Sequence, residues 1–423
     1  MEVTTHKSLL DGTVIVPASK SHTIRAVILG ALASGNSMIE GPLDSFDTRS
    51  AAGAVSAFGA GLEMDRDCWI ISGVEGKPRV PDTIIDVGNS GTTLYMIMGS
   101  ASLTDGWTVI TGDEQIRRRS ALPLMEALQG LGVETISTRG NGMAPLLVKG
   151  AMKGGRTEVR GISSQYVSSL LMACPLAREN VEISVTELNE HPYVHMTLNW
   201  LNYLDIFPEV TLDLSNIKIQ GGQSYHSFKR KIPGDFSSAT FLLCAGVLAG
   251  GTVILKGLEM DDPQGDKEVV NILKRMGSHI ETKENEITVS GGKLTGIEVD
   301  MNTIPDAVPM LAVCACFANG TTVLNNVPQA RQKETDRLAV MAMELGKLGA
   351  DIKELPDGLI IRGTGLKGGH VHGHGDHRVV MALAVAGCVA DGPVVIDTAE
   401  TAGITFPGFW DTLRALGAEF EMK

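Results

Sequence analysis

The sequence has no run of about 18 apolar residues, so a membrane-spanning helix is not expected. Nor does it open with a basic stretch followed by an apolar core, so no secretory leader is expected. The six cysteines (Cys68, Cys174, Cys244, Cys314, Cys316 and Cys388) form no C-x-x-C pair, and most lie inside apolar stretches. They read as buried thiols of a reducing compartment rather than disulfide partners or metal ligands, so the expected location is the cytoplasm. Positive charge is short as well: 36 Lys and Arg face 49 Asp and Glu, a net charge of −13. Nucleic acid needs a basic footprint, so it is not an expected partner. Aromatic residues make up only 4%, and the 49 glycines follow no Gly-X-Y period that would indicate a fibre.

What the chain has in quantity is glycine, alanine and a pattern. A short polar turn leads into an apolar, Ala-rich run with helical spacing, and a Gly-containing turn and a β-branched strand follow. Such turns begin near Ser19, Asn89, Ser163, Asp235, Pro305 and Asp376. The apolar runs include AVILGALAS from Ala26, ATFLLCAGVLA from Ala239 and VVMALAVAGCVA from Val379. Strand signals follow in GWTVI from Gly106, GGTVIL from Gly250, NGTTVL from Asn319 and DGPVVI from Asp391. A more amphipathic helix then closes most units at a glycine. Alternation between helical and strand periods predicts an α/β class built from six β-α-β-α-β units. A chain of 423 residues exceeds one ordinary core. The expected arrangement is therefore two domains of three units: 13–228, and 1–12 plus 229–423, with a hinge near 225–232.

The repeat has a chemical consequence. Each unit places small polar residues, Asn or Asp at the start of a buried helix, where four amide N–H groups lack partners and the helix dipole favours anions. The first turn carries Lys20, Ser21 and Arg25, two cations five residues apart at such an end. The second, Gly88-Asn89-Ser90-Gly91-Thr92-Thr93, lets backbone approach a ligand but lacks the GK[ST] of a nucleotide loop. Arg117, Arg118 and Arg119 repel one another, so at least one needs an anionic ligand or a carboxylate. Ser163, Ser164 and Gln165 offer donors at a third helix start, and Asp306 follows a proline at the fifth. Gln332 to Arg337 alternates carboxylates with cations. Asp376-His377-Arg378 follows an H-x-H-x-H run, His370, His372 and His374, for which no metal role is expected.

Eleven stretches in order carry a family resemblance: PASKSHTIRA, GNSGTTL, TGDEQIRRR, SSQYVSSLLMA, GGQSY, PGDFSSATFLL, QGD, IPDAVPMLA, QKETDRL, GDHRVVMAL and TFPGFW. Over nearly its whole length the chain resembles the 5-enolpyruvylshikimate-3-phosphate synthases, members of the enolpyruvyl transferase family. The resemblance implies two domains of the inside-out α/β barrel type closing over a central cleft. It implies transfer of the enolpyruvyl group of phosphoenolpyruvate to the 5-hydroxyl of shikimate 3-phosphate, without cofactor or metal, by a monomer. Phosphoenolpyruvate would then contact Lys20, Gly91, Arg119, Gln165, Arg337 and Arg378. Shikimate 3-phosphate would contact Lys20, Ser21, Arg25, Ser163, Ser164, Gln165, Asp306, Gln329 and Lys333. Asp306 would accept the hydroxyl proton, and Glu334 with Lys20 would handle the proton at the enolpyruvyl carbon.

Three positions depart from the family pattern. Tyr95 stands where an arginine is usual, Ile404 where a lysine is usual, and Glu190 where a phosphate-binding serine is usual. Two cations are therefore missing from the phosphoenolpyruvate side, and an anion stands where the acceptor's phosphate is expected. Glu190 either turns away, toward His191 or an arginine, or the acceptor is a different hydroxyl compound. A non-catalytic relative that binds anionic ligands is the third reading. A UDP-N-acetylglucosamine enolpyruvyl transferase is disfavoured, because that group carries a loop cysteine and none lies between Cys68 and Cys174.

Overall fold

In the computed structural model, which describes residues Met1–Lys423, the chain builds six four-stranded sheets of one topology. The unit that is continuous in sequence from strand Glu298–Asp300 illustrates the plan. That strand leads through helix Val308–Cys316 to Thr321–Asn325, then through helix Arg337–Lys347 to the hairpin Asp351–Leu355 and Gly358–Arg362. The first two strands are parallel, and the last strand of the hairpin pairs antiparallel with the second. Parallel neighbours need a crossover, and the first helix supplies it. Each unit thus carries one strand more than the sequence pattern indicates. The closing hairpin has two short arms, such as Glu134–Ser137 and Leu146–Lys149, which read as one strand-like stretch.

Two compact units result, one of Ala18–Ile232 and the other of Met1–Pro17 with Pro233–Lys423. Sheet pairing explains why the second is discontinuous. Leu10–Ile15 lies parallel to Gly250–Lys256, and Val3–His6 pairs between Asp391–Ile396 and Glu419–Met422. The first residues of the chain thus complete sheets made by its last half. Conversely, Lys229–Lys231 lies parallel to Asn36–Glu40 and supplies the first strand position of a sheet formed near the N-terminus.

Two kinds of helix follow from composition. The inner ones, such as Phe236–Leu248 and His377–Gly387, are buried along nearly every face because they are almost wholly apolar or small. Burying Phe236, Phe241, Leu242, Leu243 and Val247 contributes roughly 2 kcal/mol each. The second helix of each unit is more polar: Glu268–Met276 buries Val269, Val270, Ile272, Leu273 and Met276 and exposes its charges. Within Ala18–Ile232 the helices Gly91–Ala101 and Ser164–Ala173 approach so closely that a Cβ on Gly99 would lie 2.7 Å from the Ser169 carbonyl oxygen. Each unit has its own hydrophobic core. No helix is long and apolar enough to cross a membrane.

Candidate active site

Inner-helix starts carry the caps that the polar turns predict. Ser19, Ser90, Ser163, Asp235 and Asp376 each accept a backbone N–H of the first turn from their side chains. The start after Pro305 instead forms a short 3-10 turn, Pro305–Ala307, running into Val308–Cys316.

In Ala18–Ile232, Lys20 Nζ lies 3.0 Å from Asp47 Oδ2, both largely buried. Asp47 belongs to the next helix, Phe46–Ala57, and no local motif marks it in the sequence. Arg25 is 1% exposed, and its acceptors are all uncharged. Nε donates to the Thr197 hydroxyl (2.8 Å), Nη1 to the Ser21 carbonyl (3.0 Å), and Nη2 to the Ser168 hydroxyl (3.2 Å) and Tyr193 carbonyl (3.1 Å). Burial without a countercharge pushes its pKa from 12.5 down to about 9. A buried guanidinium held only by neutral groups is poised to take an anion.

Two motifs that are separate in sequence turn out to be bonded. Asn89 Nδ2 donates to Asp113 Oδ2 (2.6 Å) and Gln115 Oε1 (2.9 Å), and the Asp113 N–H donates to the Gly88 carbonyl (2.8 Å). The three arginines divide their tasks. Arg117 donates to the Gly112 carbonyl at 2.6 Å, and Arg118 pairs with Glu114 at the surface. Arg119 turns inward onto Gly91, where a Cβ would stand 2.2 Å from its Nη1. Only glycine leaves the guanidinium that seat. Gln165 has its Oε1 buried without a hydrogen-bond partner. Ser164 donates its hydroxyl to Glu190 Oε2 at 2.9 Å, with both residues buried. Glu190 thus takes the Ser164 hydroxyl in that bond.

The other unit gathers the fifth and sixth turns. Arg337 is 1% exposed and faces three carboxylates. Nη1 lies 2.7 Å from Asp306 Oδ1, Nη2 2.6 Å from Glu334 Oε2, and Nε 2.9 Å from Asp376 Oδ2. Asp306 gives its other oxygen to Arg378 Nη2 at 2.8 Å, so one carboxylate bridges two buried arginines. Burial alone would lower the pKa of Arg337, but Asp376, Glu334 and Asp306 together hold it above its ordinary value. Arg378 is raised in the same way, with Asp306 as the main opposing charge. For Asp376, burial would raise the carboxyl, but the charge and hydrogen bond of Arg337 together with His377 hold it below its usual range. Thr335 donates its hydroxyl to Asp376 at 2.9 Å. Gln329 donates to the Asn302 carbonyl (2.8 Å) and keeps Oε1 buried without a partner. Lys333 is half-buried just before this cluster. Ile404 ends the 3-10 segment Ala399–Ile404. Of the histidine run, His374 Nε2 meets the buried Glu344 Oε1 at 2.8 Å, and His372 Nδ1 meets Asp397.

Lys20, Ser21 and Arg25 thus share one helix start, and Gly91 and Arg119 are in contact. Asp306, Glu334, Arg337 and Arg378 form one network. Sequence reasoning missed Asp47, Thr197 and Ser168, the partners of Lys20 and Arg25, because long-range pairs leave no local signature. It noted Asp376 only as part of a turn.

The arrangement can hold anions beside carboxylates able to move protons. The sequence model of "EPSP synthase (3-phosphoshikimate 1-carboxyvinyltransferase)" matches residues 4–413. A 3-phosphoshikimate 1-carboxyvinyltransferase of Acetivibrio thermocellus is 51% identical over 413 residues, covering 98% of this chain and 97% of that protein. One of Methanococcoides burtonii is 45% identical, with 99% of both chains covered. A solved EPSP synthase of Acinetobacter baumannii superposes with a TM-score of 0.83 at 27% identity, over 100% of both chains. On sequence and fold alike, the chain belongs to the EPSP synthase family.

Proposed function

We propose that the protein transfers the enolpyruvyl group of phosphoenolpyruvate to the 5-hydroxyl of shikimate 3-phosphate, releasing phosphate. The observation that carries this reading is Asp306, one carboxylate bridging the buried guanidinium groups of Arg337 and Arg378. Two arginines suit the carboxylate and phosphate of the enolpyruvyl donor, which they can grip bidentately. A carboxylate held beside them suits removal of the acceptor's hydroxyl proton. The methylene carbon of phosphoenolpyruvate gains a proton as the hydroxyl oxygen bonds to C2, giving a tetrahedral adduct. That adduct then loses phosphate from C2 and a proton from the new methyl group, which restores the double bond. Asp306 takes the hydroxyl proton, while Glu334 and Lys20 serve the carbon proton. Gly91, Arg119 and Gln165 join Lys20, Arg337 and Arg378 as donor ligands. Ser21, Arg25, Ser163, Ser164, Gln329 and Lys333 serve the acceptor together with Lys20, Gln165 and Asp306. Charge pairing and proton transfer suffice for the reaction as written.

We take the two compact units as the functional domains and the protein as a cytoplasmic monomer. The monomer is tested by the mass that elutes in size-exclusion chromatography with light scattering. The reaction is tested by following phosphate release from the two substrates at millimolar concentration. Steady turnover is expected, and none would overturn the reading. One observation favours a second reading, a different hydroxyl acceptor: Glu190 already takes the Ser164 hydroxyl. A phosphate about 4 Å from that carboxylate would meet repulsion of roughly 4 kcal/mol at an effective dielectric of 20. Under this reading Glu190→Ser lowers the KM for shikimate 3-phosphate at least tenfold, whereas an unchanged KM leaves the first reading alone.

A further inference from the structure

We infer that Tyr95 and Tyr166 are positioning residues for Arg119, and that they make one structural unit of Gly91, Arg119 and Gln165, three of the four donor contacts in Ala18–Ile232. The inference rests on the reading of Arg119 as a phosphoenolpyruvate ligand. The two phenols come from different helices, Gly91–Ala101 and Ser164–Ala173. Both donate to the same acceptor, the carbonyl oxygen of Ser120, at 3.1 Å from Tyr95 and 2.7 Å from Tyr166. Their rings meet edge to face with centroids 4.9 Å apart. A carbonyl oxygen has two lone pairs, so two donors use its full capacity and fix the plane of that peptide.

Ser120 directly follows Arg119, whose own N–H donates to the Ile116 carbonyl at 3.1 Å. The backbone is therefore held on both sides of Arg119, by the 3-10 turn Ile116–Arg118 before it and by the paired phenols after it. The direction in which the guanidinium leaves the chain follows from those two anchors, and the bare Cα of Gly91 gives it a seat. Each anchoring segment also carries a proposed ligand: Gly91 lies one turn before Tyr95, and Gln165 directly precedes Tyr166. Both tyrosines are buried, and burial pushes the Tyr166 phenol far above its ordinary pKa, so that phenol stays a neutral donor at any working pH. A hydroxyl at position 95 thus supports a cation already present rather than adding one.

The test compares Tyr95→Phe, Tyr166→Phe, the double variant and Arg119→Lys by steady-state kinetics for both substrates. Phenylalanine keeps the ring packing and removes only the donor. Either phenol alone can hold the carbonyl, so each single variant is expected to raise the KM for phosphoenolpyruvate less than fivefold. The double variant is expected to raise it at least twentyfold, more than the product of the singles, with the KM for shikimate 3-phosphate within twofold of the parent. A double variant with a parental phosphoenolpyruvate KM, beside an Arg119→Lys variant whose KM rises tenfold or more, overturns the inference and leaves the ligand reading intact. A parental KM in Arg119→Lys overturns the ligand reading and the inference with it. Equal rises for both substrates, with a fall in the urea midpoint, also overturn it, because they mark the pair as merely structural.

Discussion

Replacing Arg25 with methionine separates what the fold needs from what the ligand needs. Arg25 is 1% exposed, and its pKa falls from 12.5 to about 9 because burial disfavours the charge. That fall of about 3.5 units, at 1.36 kcal/mol per unit, corresponds to roughly 5 kcal/mol opposing the folded state. On the other side stand four hydrogen bonds to neutral oxygens, worth about 1 kcal/mol each. The two sums nearly cancel. Methionine keeps the apolar stem packed, so Arg25→Met is expected to change the unfolding free energy by less than about 2 kcal/mol in either direction. A buried arginine balanced by a carboxylate would instead cost about 3–5 kcal/mol on removal. Urea unfolding at pH 7 measures this term. A loss above about 3 kcal/mol would mean the charge is compensated in the fold and the reasoning fails. Affinity should behave in the opposite way: losing charge-assisted bonds worth about 1.5–3 kcal/mol raises the KM for shikimate 3-phosphate by about 10- to 100-fold. A KM within twofold of the parent would refute the assignment of Arg25 to the acceptor.

Asp376→Asn should lower stability at pH 7 by about 3 kcal/mol, since it leaves a buried guanidinium with one carboxylate fewer. The folded pKa of Asp376 lies below its unfolded value, so its contribution is present above about pH 3.9 and is lost as pH falls through the folded value. Urea midpoints between pH 6 and pH 3 should therefore fall less steeply in the variant, and parallel profiles would count against this. Gly91→Ala leaves a better helix former in place, so stability should hold or rise by up to about 1 kcal/mol. The new methyl nevertheless displaces Arg119 Nη1 by about 1 Å from a 2.2 Å overlap, and the phosphoenolpyruvate KM should rise at least tenfold. Of the six thiols only Cys68 is partly accessible, and burial pushes Cys316 and Cys388 up to about 12. Native protein at pH 8 should therefore react with a thiol reagent at one cysteine and unfolded protein at six; more than one fast native reaction would contradict the burial.

The parts of this architecture that were legible in the sequence are those in which one segment decides its own fate. Ser19, Ser163, Asp235 and Asp376 cap the helices they precede, because capping needs only a side-chain oxygen within a few residues of the first free N–H groups. The Ala-rich runs had to be buried, since nothing charged interrupts them. Partners recruited from far along the chain could not be read. Asp47 for Lys20 and Asp113 for Asn89 depend on packing within one unit of the repeat, and Thr197 for Arg25 on packing between two, and no spacing rule reports either. Tyr95 shows the cost of reading a position in isolation. As one residue in place of another it counts as a lost cation, whereas its phenol shares the Ser120 carbonyl with Tyr166 and so bears on the cation that remains. Glu190 is the opposite case, a charge gained: its carboxylate takes the Ser164 hydroxyl at a helix start, an end that favours anions. A substitution that removes a charge can thus be offset by geometry elsewhere. One that adds a charge beside a helix start can be offset by a neighbouring cation or by a change in what binds there, so Glu190→Ser is the substitution that tests the acceptor's identity.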